Sequence, residues 1–306
     1  MTVLFSFPGQ GAQQAGMLHT LPRHAEVERV LAETAEALKL DPLSLDSEQA
    51  LQSTVAVQLC LTIAGVAMAR ALIAQGAQPH MVAGFSIGEY PAAVVAGALD
   101  YADALYLVAK RARLMEDAFP VGYGMAVISG LDRTLLESLI AQVHSEATPV
   151  YLANLNAEQQ LAISGAEAAL HAVMKLANEH GAGKAERLAV NVPSHCPLFL
   201  PAAREMAKAF EGIQMHKPSL TLLSSSAVRA IAGPARIAET LAVNMARQVH
   251  WSETAQLAWE RGARVAVEMP SGSVLSKLTE PLFAGGRVIS CQGTRIDTLL
   301  AVAARG

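Results

Sequence analysis

Residues 80–98 confine this chain to a narrow set of folds. An apolar run, His80-Met81-Val82-Ala83, leads into Gly84-Phe85-Ser86-Ile87-Gly88, and a helical pattern over residues 89–98 follows at once. A strand that turns so abruptly into a helix needs glycines, because side chains at those positions would collide. The serine at the centre of such a turn is held above the end of a parallel sheet. The N–H behind it faces a developing oxyanion at a helix N-terminus. Acyl transfer and acyl hydrolysis both use that arrangement, and the motif leaves them equally open. It also leaves open a structural serine, because Ser271-Gly272-Ser273 is another small-residue pattern in the chain.

The rest of the sequence alternates in the same sense. Strand-like residues 4–7 and 81–84 are separated by helical patterns beginning at Glu26 and Leu51. This is the α/β order, a mostly parallel sheet covered by helices. Between residues 124 and 190 the order changes to strand 125–129, helix 133–143, strands 149–153 and 161–164, helix 167–180 and strand 186–190. That βαββαβ sequence is ferredoxin-like. The α/β pattern then resumes with a helix from Ala202, a strand at 220–224, helices at 235–245 and 252–261, and a strand at 264–268. The expected architecture is a large α/β-hydrolase-like domain with a parallel sheet, residues 1–123 and 191–306, interrupted by a small ferredoxin-like domain, 124–190.

At 306 residues, 52% hydrophobic and 16% charged, the chain can bury a large core. A net charge of −4 without a basic run argues against nucleic acid or an anionic membrane as partner. Residues 1–8 read as a first strand and not as a signal peptide. Residues 55–74 form the longest apolar stretch, but Gln58, Thr62 and Arg70 interrupt it, so it reads as a core helix. Cys60, Cys196 and Cys291 are spaced too widely for a metal site or a disulfide framework. A reducing cytoplasm, no metal and no permanently bound cofactor are the expectations.

Three further positions carry chemistry. If the helix after Ser86 and the helix over residues 101–118 run antiparallel, Arg111 returns to the level of Ser86. An arginine beside a nucleophile suits a substrate with its own carboxylate, held bidentately. A surface arginine on an amphipathic helix is the other reading of that spacing. His195 lies between Pro193 and Pro197, in a rigid loop that suits a general base; a packed histidine fits as well. Cys196 is a rival nucleophile with no obvious thiolate-stabilising cation nearby other than His195, so it reads as a packed thiol. Phe7-Pro8-Gly9-Gln10-Gly11 ends the first strand, and the Gln10 N–H is placed to serve as a second oxyanion donor.

Together these motifs resemble the malonyl-CoA:acyl-carrier-protein transacylase family. The matching pieces are Phe7-Pro8-Gly9-Gln10-Gly11 with Gln13 and Gly16-Met17, then Gly84-Phe85-Ser86-Ile87-Gly88-Glu89-Tyr90, Arg111 with Met115, and Val192-Pro193-Ser194-His195-Cys196. The resemblance runs nearly the full length. It implies Ser86 as nucleophile, His195 as base, Arg111 as the clamp on a malonyl carboxylate, and the N–H groups of Gln10 and Ile87 as the oxyanion hole. In this family a backbone carbonyl orients the histidine, and the matching position is read as His250, before Trp251. Malonyl-CoA is the implied donor and the thiol arm of an acyl carrier protein the acceptor.

A finer resemblance is to the epsilon subunit of malonate decarboxylase. It rests on stretches away from the site, among them Ser53-Thr54-Val55-Ala56-Val57-Gln58, residues 90–97, Leu223-Ser224-Ser225-Ser226 and Trp259-Glu260-Arg261-Gly262-Ala263. It implies other malonate decarboxylase subunits as partners. The alternatives are the transacylase of fatty-acid synthesis, a serine esterase, and an inactive scaffold that docks the carrier. Phe85, where the family usually has His, and Pro91, early in the following helix, are departures that bear on pocket shape and on the turn. Lys184, Arg187 and Lys277 are the basic residues expected to meet an acidic carrier.

Overall fold

The computed structural model describes residues 2–119 and 121–304. The first half of the chain supplies β1 (Thr2–Phe7), α1 (Ala25–Leu38), α2 (Thr54–Ala74), β2 (Met81–Gly84), α3 (Glu89–Val95) and α4 (Tyr101–Ala118). The middle supplies β3 (Tyr123–Ser129), α5 (Arg133–Val143), β4 (Val150–Ala157), β5 (Gln160–Ala166), α6 (Glu167–Glu179) and β6 (Lys184–Arg187). Then follow α7 (Leu200–Phe210), β7 (Thr221–Ser224), β8 (Arg229–Ile231), α8 (Pro234–Val243), β9 (Val249–His250) and α9 (Trp251–Glu260). The chain closes with β10 (Ala263–Glu268), α10 (Val274–Thr279), β11 (Arg287–Ser290) and α11 (Ile296–Ala303).

Two sheets organise these elements. The larger has the order β11-β10-β1-β2-β7-β8 and is parallel except for β8, which runs antiparallel at one edge. Its register pairs Phe7 with Gly84 and Gly84 with Ser224. The loops after β1, β2 and β7 therefore leave the sheet side by side at its C-terminal edge, where open α/β sheets bind ligands. The smaller sheet has the order β6-β3-β5-β4-β9. Its first four strands are antiparallel in the ferredoxin-like arrangement, and Ala126, Ile128, Leu136, Ile163, Leu170 and Val173 contribute to a core of its own.

The fold is thus the expected mixed α/β architecture, with details that local pattern did not carry. The two residues of β9 come from the chain after α8 and pair in parallel with β4, so the small sheet borrows an edge from the larger unit. The helix expected from Leu51 starts at Thr54, because the Ser53 hydroxyl accepts the Val55 N–H and caps it. The strand expected at 186–190 is Lys184–Arg187. Leu188 and Val190 instead line the interior cavities described below.

Helix α2 is long and apolar enough to cross a membrane, yet 89% of its apolar window is buried inside the protein. It is the central core helix, packed against α1 and α4. Pro91 sits in the first turn of α3, where an N–H has no intrahelical partner to lose, and its ring packs toward Gly65 of α2.

The strand-to-helix turn is possible only with glycine. A Cβ on Gly88 would fall on the carbonyl of Phe7, and one on Gly84 would fall on the backbone of Gly88 and Glu89. Gly88→Ala must push β1 and α3 apart, which costs about 3 kcal/mol at the upper end of ordinary overpacking. We expect a correspondingly lower urea midpoint with an unchanged m-value; a midpoint equal to wild type would contradict the contact.

Candidate active site

Ser86 follows β2 with φ of 57°, a left-handed conformation that a non-glycine residue adopts only at a cost of about 1–3 kcal/mol. The strain aims Oγ away from the sheet and toward His195. His195 also has a positive φ, 65°, and its N–H donates to the Met245 carbonyl at 2.7 Å. The two residues, 109 apart in sequence, meet with Ser86 Oγ 2.7 Å from His195 Nε2.

The other ring nitrogen decides the tautomer. His195 Nδ1 lies 3.0 Å from the Asn244 carbonyl and 2.9 Å from the Arg247 carbonyl. Both are acceptors, so Nδ1 carries the proton and Nε2 presents a lone pair to the serine hydroxyl. Two main-chain carbonyls do here what a carboxylate does in a serine triad. This corrects the assignment of His250. Its carbonyl accepts from Thr254 Oγ1 at 2.7 Å inside α9, and its side chain pairs with Glu253. The orienting carbonyls come earlier, from the turn after α8, which wraps the imidazole before β9 begins.

Arg111 is buried at the level expected from two antiparallel helices. Nη2 donates to Ser86 Oγ at 3.3 Å, Nη1 to Gln58 Oε1 at 2.6 Å, and Nε to Asn244 Oδ1 at 3.3 Å. All three acceptors are uncharged. Asn244 also donates from Nδ2 to the Ser86 carbonyl at 3.1 Å, so one side chain braces both the cation and the nucleophile turn. Neither partner was foreseen as part of the site. Gln58 left a trace as a polar break in the most apolar helix of the chain; Asn244 left none.

Burial first, and the Arg111 charge after it, hold the His195 pKa down at about 4 against the pull of the two carbonyls. The imidazole is therefore neutral at neutral pH, the state that a general base would need. Burial likewise draws the Arg111 pKa down from its usual value, opposed by Tyr90 and Glu89. Cys196 is excluded as a rival nucleophile: its buried thiol donates to the Pro193 carbonyl at 3.1 Å, and burial raises its pKa to about 11.

A small cavity of about 40 Å³ joins Gln10, Ile87, Ser86, His195 and Arg111. It shares Gln10, Phe85 and Asn154 with a second cavity of about 440 Å³ that runs beneath the small sheet toward α10. Phe85 lies on the wall between the two cavities, with its ring 6.0 Å from that of Trp251. A more open cleft of about 750 Å³ shares only His195 with the Ser86 cavity, so size alone does not mark the chemistry here. Of the three basic residues expected to face a carrier, Arg187 is a strut: Nε lies 2.8 Å from Glu167 Oε1, and the guanidinium also holds the Met125 and Leu188 carbonyls. Lys184 pairs with Glu186.

A carboxylate-free cation, a serine and a neutral histidine around one cavity at the edge of a parallel sheet describe an acyltransferase. Residues 4–286 match the acyl transferase domain family, and the chain belongs to that family. It is 36% identical over 291 residues to the malonyl CoA-acyl carrier protein transacylase of Haemophilus influenzae, covering 93% of each chain. The malonyl CoA-acyl carrier protein transacylase structure from Coxiella burnetii superposes with a TM-score of 0.94 at 32% identity, over 99% of this chain and 98% of that one. A malonyl-transacylase solved in complex with its type II polyketide acyl-carrier protein gives a TM-score of 0.92 at 31% identity, with 100% of both chains covered.

The His195 environment has a measurable sign. Its folded pKa of about 4 lies below the ordinary 6.5, so the unfolded chain binds the extra proton between those values. His195 thus leaves stability intact above that window and removes it as pH falls through it. The acid limb of kcat/KM for Ser86 acylation, which reports the free enzyme, should lie near pH 4. A limb near the ordinary histidine value would contradict this account.

Proposed function

We propose that this acyltransferase moves a malonyl group from malonyl-CoA to the thiol of an acyl carrier protein through a malonyl ester on Ser86. The observation that carries the reading is Arg111: a buried guanidinium, 3.3 Å from the nucleophile, whose three acceptors are all neutral. A substrate carboxylate supplies the missing anion. The names of the relatives point the same way.

In the first half-reaction His195 Nε2 takes the Ser86 proton, and Oγ attacks the thioester carbonyl carbon. The oxyanion meets the N–H groups of Ile87 and Gln10; losing one such donor typically costs about 2.7–4 kcal/mol of transition-state stabilisation. The C–S bond then breaks, and the imidazolium returns its proton to the leaving CoA thiolate. In the second half the carrier thiol gives its proton to His195 and attacks the ester, and Ser86 recovers its hydrogen. Arg111 also couples recognition to reactivity. Its charge weakens the base in the empty site, and a bound carboxylate cancels part of that effect, so the correct substrate strengthens His195.

The long cavity suits the thiol-bearing arm shared by both substrates. The Oδ1 atoms of Asn154 and Asn156, which line it, are buried without a hydrogen-bond partner. Amide N–H groups along the arm satisfy such acceptors. Residues 124–190 act in this reading as an inserted domain that roofs the cavity. A cytoplasmic setting belongs to the same reading, with all three thiols buried and free.

If Arg111 is the clamp, Arg111→Ala should lower Ser86 acylation by malonyl-CoA by about 100-fold or more, a loss on the scale of a charged hydrogen-bonded pair. Acylation by acetyl-CoA should change far less. Intact-mass time courses with each donor read both rates, and equal losses would sink the assignment.

The relatives' names support an acyl carrier protein as acceptor, and a carrier of the fatty-acid-synthesis type is the first reading. A malonate decarboxylase carrier is the second reading; the stretches that resemble its epsilon subunit are what support it. Transfer from malonyl-CoA to one carrier of each type, assayed side by side, separates them. A kcat/KM preference of about tenfold or more, some 1.4 kcal/mol, decides between the two.

A further inference from the structure

Glu89 takes no part in the chemistry above, yet it is among the most heavily bonded side chains in the protein. It opens α3, three positions after Ser86, and is 2% exposed. A single oxygen, Oε1, accepts from the Ser225 N–H at 2.7 Å, the Ser225 hydroxyl at 2.9 Å, the Ser224 hydroxyl at 3.0 Å and the Ser226 N–H at 3.1 Å. Oε2 is buried with no partner. All four donors come from the Ser224-Ser225-Ser226 turn, so this one oxygen ties that turn to the start of α3.

That turn leads to the base. Ser224 ends β7 in register with Gly84, at the start of the nucleophile turn. The Ser225 carbonyl accepts the His250 N–H at 2.9 Å. His250 ends β9, three residues after Arg247, whose carbonyl holds His195 Nδ1. One carboxylate therefore links the helix behind Ser86 to the segment that fixes His195. The serines belong to a stretch, Leu223-Ser224-Ser225-Ser226, that the proposed reaction does not otherwise use.

We propose that Glu89 is a positioning residue for the Ser86–His195 pair, clasping the Ser224–Ser226 turn so that nucleophile and base keep hydrogen-bond distance. The proposal rests on the transfer reading only in using malonyl-CoA to acylate Ser86. Weakening the clasp misaligns two groups that must lie within hydrogen-bond reach, and small misplacements are costly in rate.

Glu89→Gln keeps the shape and puts an amide in place of the carboxyl group that holds four donors. At saturating malonyl-CoA, its acylation rate per competent site, with burst amplitude as the count of sites, should fall by about tenfold or more while KM changes less than about twofold. The downfield Nδ1–H proton resonance of His195 should broaden or shift in the same variant. An unchanged rate per site with an unchanged resonance, whatever the thermal midpoint does, overturns the proposal, as does a raised KM with unchanged kcat. Should Glu89→Gln fail to fold, Ser225→Ala, which removes one hydroxyl donor and keeps the backbone bonds, decides on the same readouts. Its rate per site should fall, and a rate equal to wild type overturns the proposal. If wild type itself is not acylated by malonyl-CoA, the transfer reading fails, and the histidine resonance alone then judges the clasp.

Discussion

Arg111 carries a full charge into the interior and, among the described residues, hydrogen-bonds to no carboxylate there. Removing an ion from water costs several kcal/mol even after relaxation. Its bonds to Gln58, Asn244 and Ser86 return about 1.5–3 kcal/mol each at best, as hydrogen bonds to a charged group. Those acceptors come from α2, from the turn after α8, and from the nucleophile turn, so the cation ties three separate parts of the chain to one point. In the proposed reaction, what they leave uncompensated is available to an incoming carboxylate. The same charge lowers the basicity of His195, so in the proposed reaction selectivity and reactivity share one electrostatic source.

Around that cation the backbone stores strain. Ser86 and His195 both occupy the left-handed region, at about 1–3 kcal/mol each. Such conformations persist only where neighbours over-determine them. For Ser86 the constraint is the contact of Gly88 with the Phe7 carbonyl, together with the Asn244 amide on its own carbonyl. For His195 it is the N–H bond to Met245 and the two carbonyls on the ring. The core supplies the counterweight: burying one large side chain, such as Phe5, Phe7 or Phe199, is worth about 1.5–3 kcal/mol. The strained pair is thereby aligned before any substrate arrives.

Much of the fold was legible because local pattern and tertiary structure agree. Alternating β and α elements with glycines at abrupt turns specify a parallel sheet, and the βαββαβ order of the middle segment survives as β6-β3-β5-β4. Ser86, His195 and Arg111 stood out because each is an unusual residue type at a marked place: a glycine-flanked turn, a proline-bracketed loop, a helix position at matching height. Gln58 and Asn244 did not stand out, since amide side chains are common and their role depends on what lies across the cavity. Arg187 was misleading for the same reason. Its charge suggested an exposed docking residue, whereas the fold binds it to Glu167 and two carbonyls.

The sequence by itself narrowed the chemistry to acyl transfer or hydrolysis, marked the turn that carries Ser86 and set Arg111 at a matching height, because these depend on residue type and on spacing along the chain. Only the tertiary structure decided which carbonyls orient His195. Main-chain carbonyls are alike in every residue, and Asn244 and Arg247 differ from His250 only in where the turn after α8 brings them. The clasp of Glu89 on a turn 136 residues away was equally invisible, because a glutamate that begins a helix looks the same in sequence whether its carboxylate meets water or four buried donors. Local chemistry is written in the order of the residues; long-range hydrogen bonding is written in how the sheet brings their ends together.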